Sequence, residues 1–340
     1  MADEIRIAGQ PIGASHPPYF IAEVGANHNG DMDLCRQLID AAATAGADAV
    51  KFQSWSADSL LGNDLRQDPV TLAEVRRLSL TPQQHRMAKE HCSKRGVAFC
   101  STPFSNEEVD MLVDLGVPFL KIASMDVTYP QLLSYVARQH LPVVLSTGMA
   151  SLGEIEAAMT TLKKHGASDI ALLHCVSVYP PQTSTVNLRN IGMLQEVFGV
   201  PVGYSDHTLG IGCAIGAIAQ GACIIEKHFT LNKNMDGWDH AVSAECNELA
   251  QIVREGMAVW EALGDSRRIV SADELEKRLA FRRSAVAAHD LAKGQIVSEA
   301  DLSFKRPGGG IAPTEAPYVL GRRIRHDVEQ GEMLTWQSLE

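Results

Sequence analysis

The chain has 340 residues, 45% of them apolar and 21% charged, with a formal net charge of −11. That length exceeds one ordinary core and fits a large domain followed by a smaller one. The negative balance disfavours nucleic-acid binding, which rests largely on phosphate attraction, but leaves room for a small anion in a local basic pocket.

The opening Met1-Ala2-Asp3-Glu4 lacks the basic start and apolar core of a signal peptide, so a cytoplasmic location is expected. After it, short apolar runs rich in β-formers recur at 19–24, 49–53, 97–101, 119–123, 143–146, 170–175, 202–205 and 222–228. Amphipathic stretches at 31–45, 82–94, 106–115, 130–139, 152–165 and 209–220 alternate with them, and a last one covers 247–263; the 187–198 connection is the least periodic. Strict alternation implies a parallel sheet, and eight units close into a (β/α)8 TIM barrel, with a doubly wound open sheet as the rival.

The most apolar stretch, 211–225, contains Gln220 and three glycines and is shorter than the ~20 residues of a membrane-spanning helix, so no membrane segment is expected. The seven cysteines form no CxxC pair and read as free thiols in a reducing compartment. A charged helical linker is expected over 265–281, after a catalytic domain of 1–264, and short alternating runs over 282–340 read as a small β-rich domain. Near the lower size limit for independent stability, that domain calls for packing against the barrel or a second subunit. Gly308-Gly309-Gly310 within it fits no helix-opening nucleotide motif and reads as a flexible turn rather than a phosphate cradle, with Arg306 as its neighbour of interest.

A barrel of this kind carries its active site at the C-terminal ends of the strands, and all eight runs end in polar residues. Glu23 closes the first; Lys51 and Gln53 share a face of the second; Ser101-Thr102, Lys121 with Ser124, Ser146-Thr147 and Ser177 with Tyr179 follow. Ser205 with His207, and Glu226 with His228, complete the ring, because a strand period of two puts each pair on one face. Neutral imidazole is a common metal ligand, so His207 and His228 propose a divalent-metal site; the competing reading is that both are packed or surface histidines. Lysines are rarely fully buried unless paired. Lys51 and Lys121 beside serine hydroxyls therefore suggest an anionic substrate, a phosphate or carboxylate, or else an ion-pair network with Glu23 or Glu226. Metal and anion together favour carbon–carbon bond chemistry in which an ion polarises a carbonyl while cations hold a phosphorylated partner. In the loop beyond His228, Asp239 is a candidate for binding hydroxyls or taking a proton, against the reading of a solvated turn.

Taken in order, these motifs resemble the sialic acid (N-acetylneuraminate) synthase family along the whole chain. The resemblance is carried by Ile21-Ala22-Glu23-Val24-Gly25 running into Asn27-His28-Asn29-Gly30, then Val50-Lys51-Phe52-Gln53, Ser101-Thr102-Pro103-Phe104, Lys121-Ile122-Ala123-Ser124, Ser146-Thr147-Gly148-Met149, Gly203-Tyr204-Ser205-Asp206-His207-Thr208 and Glu226-Lys227-His228-Phe229-Thr230. The tail around Lys305-Arg306-Pro307-Gly308 is similar to the antifreeze-like (SAF) domain that ends those enzymes.

The resemblance implies condensation of phosphoenolpyruvate with N-acetylmannosamine or a related acetamido sugar, giving a nine-carbon 2-keto acid and phosphate by C–O cleavage. It implies Mn2+ or Mg2+ on His207 and His228, activating the sugar aldehyde. Lys51, Lys121, Ser124, Ser146 and Ser205 match positions that hold phosphoenolpyruvate, and Glu23 matches the residue that orients or deprotonates near the reacting carbons. Gln53, Thr102, Tyr179 and Asp239 match sugar contacts. Arg306 matches an arginine delivered into the partner's active site, which implies a domain-swapped homodimer.

The chain departs from the family at Ser177, where Asn is common before Tyr-Pro, and at Gly237-Trp238-Asp239, where Gly-Pro-Asp is common; Trp238 is expected to place a ring close to the sugar site. Relatives making legionaminic or pseudaminic acid use 2,4-diacetamido sugars by the same chemistry and stand as the alternative. A phosphorylated acceptor would need a further basic cluster, which the sequence does not offer. A non-catalytic carbohydrate-binding protein is the reading from another class, and it leaves two lysines and two histidines at one mouth without a purpose.

Overall fold

The computed structural model of the chain describes residues 4–340. Contacts divide it into two compact units, one ending at Gly264 and the other spanning Asp265–Glu340.

The first unit opens with an antiparallel hairpin, β1 (Glu4–Ile7) and β2 (Gln10–Gly13). Eight parallel strands follow, each but the last leading into a helix that returns the chain to the next: β3 (Tyr19–Gly25), β4 (Ala49–Ser54), β5 (Ala98–Pro103), β6 (Leu120–Ile122), β7 (Val143–Ser146), β8 (Ile170–Cys175), β9 (Val202–Asp206) and β10 (Ile224–His228). Their hydrogen-bonded order is β5-β4-β3-β10-β9-β8-β7-β6. The two ends of that order, β5 and β6, lie side by side and nearly close the barrel, though no ladder joins them among the described residues. Only three residues long, β6 follows Pro118, which has no amide hydrogen to give to a neighbour.

The period of two sorts each strand between two environments. Outward residues such as Phe20, Val50, Phe99, Leu145 and Ile225 pack under the surrounding helices. Inward residues form layers: Tyr19, Ile21, Phe119, Val144, Leu173 and Ile224 fill the lower barrel with apolar side chains. Ile5, Ile7 and Ile12 of the hairpin join that layer, so β1 and β2 plug the bottom of the barrel. Above it the inward residues turn polar, and the site begins there.

Several helices complete or extend the pattern expected from the sequence. Residues 57–78, between β4 and the helix Pro82–Arg95, hold the helices Ala57–Leu60, Asn63–Arg66 and Pro69–Leu78. The weakly periodic 187–198 connection forms the helix Asn190–Phe198, whose Ile191 and Leu194 are buried.

The second unit begins with the helix Ala272–Phe281 and pairs β11 (Ser284–Ala287) antiparallel with β12 (Leu302–Lys305). Ala285, Leu291, Ile311, Ile324, Val328 and Leu334 are among the residues of its small core. The Gly308 amide donates to Leu279 O (2.7 Å) and the Gly310 amide to Ser284 Oγ (3.0 Å), so two of the three glycine amides brace the domain and are not free to cradle a phosphate. No helix among the described residues is long and apolar enough to cross a membrane.

Candidate active site

At the C-terminal ends of the eight strands lies a cavity of about 370 Å³. Glu23, Lys51, Lys121 and Asp239 line it, as do Gln53, Thr102, Ser124, Ser146, Ser177, Tyr179, Ser205, His207 and His228. The barrel thus brings together side chains from across more than two hundred residues of sequence.

Its floor is a buried ion-pair network. Lys51 Nζ lies 2.7 Å from Glu23 Oε2 and 3.8 Å from Glu226 Oε2, and donates to Thr102 Oγ1 at 3.2 Å. Lys121 Nζ lies 3.7 Å from Glu226 Oε1 and donates to Ser146 Oγ (2.7 Å) and Ile122 O (3.2 Å). Gln53 Nε2 donates to Glu23 Oε1 (2.8 Å) and Ser205 Oγ to Glu226 Oε1 (3.0 Å). Both sequence readings of the lysines therefore meet here: they converge on one cavity and they are paired. Glu226, placed on one face with His228 by the period of two, is the carboxylate that links the two lysines.

The two lysines differ. Burial acts against the charge of Lys51, but the carboxylates of Glu226 and Glu23 outweigh it and raise its pKa. For Lys121, burial prevails with help from the Lys51 charge, and its pKa falls below the ordinary lysine value. Burial pushes the Glu23 carboxyl up to about 7 against the pull of Lys51, whereas Lys121 and Lys51 overcome burial to hold Glu226 below the usual carboxylate range. Lys121 is thus a cation short of negative charge, a poise that an anionic ligand relieves.

Glu23 ionises near neutrality and is placed to act as a base. Turnover is expected to rise with pH through about 7 and to lose that limb in Glu23→Gln; a pH–rate profile that keeps the same limb in the variant would remove the assignment. The sign for stability is opposite: the native state holds a proton that the unfolded chain releases, so this group makes the fold less stable as pH rises from 4.5 to about 7.

His207 and His228 close one side of the cavity with ring centroids 5.3 Å apart, and the Tyr179 ring lies 4.1 Å from that of His207. The Val176 carbonyl is 2.9 Å from His207 Nδ1, which fixes a proton there, so that the neutral ring presents its lone pair at Nε2; burial opposes the ring's charge, but Cys175, the Val176 bond and Glu226 outweigh it and raise the pKa, so a cation at Nε2 would compete with a proton. The Cys175 sulfur, 3.8 Å from the same nitrogen, is the weaker contact. His228 Nδ1 is buried without a hydrogen-bond partner, 3.8 Å from Asp239 Oδ2. Burial, then the neighbouring His207 and Lys51, hold its pKa well below 6.5, so this imidazole is neutral. An orphaned neutral imidazole beside a second with a free lone pair fits a divalent cation. Among the described residues no group of three or more His, Cys, Asp or Glu side chains is arranged around one point. An ion held here would keep positions open for water and substrate.

Ser124 Oγ accepts from the Gly148 amide (2.9 Å), and a Cβ at Gly148 would collide with Ser177 Oγ and Ser124 Oγ, so only glycine lets the two serines approach. Trp238, next to Asp239, does not itself line the cavity: it stacks on Trp55 (centroids 5.9 Å, 22°), which in turn meets Phe104 edge-on at 5.8 Å. Of these rings, Phe104 reaches the cavity. Arg306 follows β12 in the second unit, its guanidinium 5.0 Å above the Phe281 ring.

Residues 38–268 match the NeuB family model and residues 282–340 that of the SAF domain. The chain belongs to the NeuB family. Among NeuB relatives, N,N'-diacetyllegionaminic acid synthase of Legionella pneumophila is 38% identical, with 100% of both chains covered. Pseudaminic acid synthase of Helicobacter pylori is 33% identical over 95% of this chain and 98% of its own. The crystal structure of N-acetylneuraminic acid (sialic acid) synthetase from Leptospira borgpetersenii is similar with a TM-score of 0.76 and 38% identity, covering 81% of this chain and 94% of that one. As a NeuB protein the chain is a transferase-type enzyme of the sialic acid synthase group, as its motifs imply.

Proposed function

We propose that the chain condenses phosphoenolpyruvate with the open-chain aldehyde of an acetamido sugar, N-acetylmannosamine or a close relative, to give N-acetylneuraminate or a related nonulosonic acid and phosphate. The observation that carries this reading is the meeting of a buried, underpaired lysine, Lys121, with two imidazoles across one cavity of about 370 Å³. One side suits an anionic donor and the other a polarised carbonyl.

In this reading Lys121, Lys51 and the hydroxyls of Ser124, Ser146 and Ser205 hold the carboxylate and phosphate of phosphoenolpyruvate. Gln53, Thr102, Ser177, Tyr179 and Asp239 orient the sugar. His207 and His228 would hold a divalent ion, Mn2+ or Mg2+, whose Lewis acidity would polarise the aldehyde. The phosphoenolpyruvate methylene carbon bonds to the aldehyde carbon as the carbonyl electron pair moves onto the aldehyde oxygen; water adds to the cationic C2, and Glu23 takes a proton of that water, which passes on to the former aldehyde oxygen to make it a hydroxyl. The C2–O bond to phosphate then breaks, leaving the keto acid and inorganic phosphate. We assign the enzyme to the cytoplasm, where its seven free cysteines stay reduced. We further assign it to a domain-swapped homodimer in which Arg306 completes the partner's site.

Identities of 38% and 40% to two N,N'-diacetyllegionaminic acid synthases, against 31% to human N-acetylneuraminate-9-phosphate synthase, favour a 2,4-diacetamido acceptor as the second reading. Among the described residues that line the cavity, Lys51 and Lys121 are the only Lys or Arg side chains, which leaves no basic cluster there for a distal phosphate. A panel of N-acetylmannosamine, 2,4-diacetamido sugars and phosphorylated forms, with mass detection of product, tests the proposal. Phosphate release that requires both an unphosphorylated acceptor and a divalent metal is expected. Its absence across the panel would favour a binding protein.

A further inference from the structure

The cavity's acceptor side depends on a loop that holds one short 3-10 turn, His240–Val242. After β10 the chain runs from Phe229 to the helix Cys246–Leu263 and presents Asp239 from its middle. Backbone bonds join its base to the barrel, Phe229 N to Glu23 O (2.7 Å), Ala244 N to His228 O (2.7 Å) and Thr230 N to Ala244 O (2.9 Å), and the backbone bonds farther along it are local, as in the turn where Val242 N meets Asp239 O (3.2 Å). Lys233 ties its first part to Glu245 and Glu248 at the start of the next helix (3.0 and 2.6 Å) and Trp238 stacks on Trp55; the segment around Asp239 is also tied by side chains of the loop that follows β3, about two hundred residues earlier.

Asn27 Nδ2 donates to Phe229 O (2.9 Å) and Ser243 Oγ (2.8 Å), and Ser243 Oγ donates to the Asp239 carbonyl (2.7 Å). Asn29 Nδ2 donates to Asp236 O (2.9 Å) and contacts His240 Nε2 at 3.2 Å. Since Asn29 offers an N–H, His240 Nε2 accepts, and its proton sits on Nδ1, 2.7 Å from Thr230 Oγ1. Fully buried His240 thus forms a strut between the loop's start and the β3 loop, beside Asp239.

Backbone geometry agrees with a purpose-built contact. Asn29 has φ +51°, a left-handed conformation that asparagine tolerates better than most residues. A Cβ at Gly237 would lie 2.5 Å from His240 Cδ2 and 2.9 Å from Asn29 Oδ1, so the loop closes on the strut only with glycine there.

We propose that Asn29 and His240 are positioning residues that lock the loop after β10 and hold Asp239 against the acceptor end of the cavity. The proposal rests on the synthase reading above. It follows that acceptor and donor binding separate: the strut touches nothing that holds phosphoenolpyruvate.

The test uses the full-length, Mn2+-loaded protein. Asn29→Gly keeps the left-handed backbone and removes both bonds; Asn29→Asp keeps the shape and replaces the donor amide by an acceptor. In each variant we expect the acceptor KM to rise about tenfold or more, the phosphoenolpyruvate KM to stay within about twofold, and kcat to fall less than the acceptor kcat/KM. Amides of 232–243 should exchange hydrogen faster while the barrel strands keep their protection. Either of two results in correctly folded variants overturns the proposal: unchanged loop exchange, or an acceptor KM that stays at the wild-type value or rises only in step with that of phosphoenolpyruvate. If the wild-type protein turns over no acceptor, the synthase reading fails instead, and the exchange data still judge the strut.

Discussion

His228→Ala is expected to lower metal-dependent turnover by about 1000-fold, the scale of several kcal/mol that a Lewis-acidic ion contributes to a developing oxyanion. The fold should survive, because His228 Nδ1 has no hydrogen-bond partner to lose and the ring lies at the mouth of the barrel rather than in its apolar layers. His207→Ala should cost similar activity with a further loss of about 1 kcal/mol in stability, since its bond to the Val176 carbonyl goes too. Mn2+ affinity by titration calorimetry, measured apart from turnover, should fall in both variants. Wild-type affinity in both would end their assignment as ligands.

The second large effect divides the lysines. Lys51 lies between Glu23 and Glu226, so Lys51→Met strands two buried carboxyls. Loss of one partner from such a buried network costs about 3 kcal/mol or more, read as a clear drop in Tm. Lys121 bears an underpaired charge that burial disfavours, so Lys121→Met removes a desolvated cation; it also takes from Glu226 one of its two lysine partners, and a Tm loss smaller than that of Lys51→Met is expected. Its effect should fall on the donor: one strong charge-assisted contact to phosphate or carboxylate is worth about 100-fold in kcat/KM for phosphoenolpyruvate. Thermal unfolding together with donor saturation kinetics separates the two outcomes. Equal Tm losses with equal kinetics would contradict the division.

Much of this site was legible because the strand period is rigid. Once 202–205 and 222–228 were read as strands, Ser205, His207 and His228 had to share the barrel interior, and Glu226 with them. The same rule placed Lys51 and Lys121 inward, but it could not tell pairing from substrate binding, since that depends on side-chain distances across four different strands. The β1–β2 hairpin escaped notice for a related reason: Ile5, Ile7 and Ile12 form runs too short to stand out, and their role as a plug exists only against the barrel bottom. Trp238 shows the limit in loops, where no period fixes a side chain; its ring stacks on Trp55 and does not line the cavity. The Asn29–His240 contact joins segments 211 residues apart and is visible only in the folded chain.

Phosphoenolpyruvate carrying 18O in its bridging C–O–P position tests the condensation most directly. With the acceptor and Mn2+ present, the label should appear in inorganic phosphate and be absent from a product nine carbons along its backbone, as C–O cleavage requires. Unlabelled phosphate, with the heavy oxygen retained on a three-carbon acid, would mean simple P–O hydrolysis and contradict the assigned chemistry.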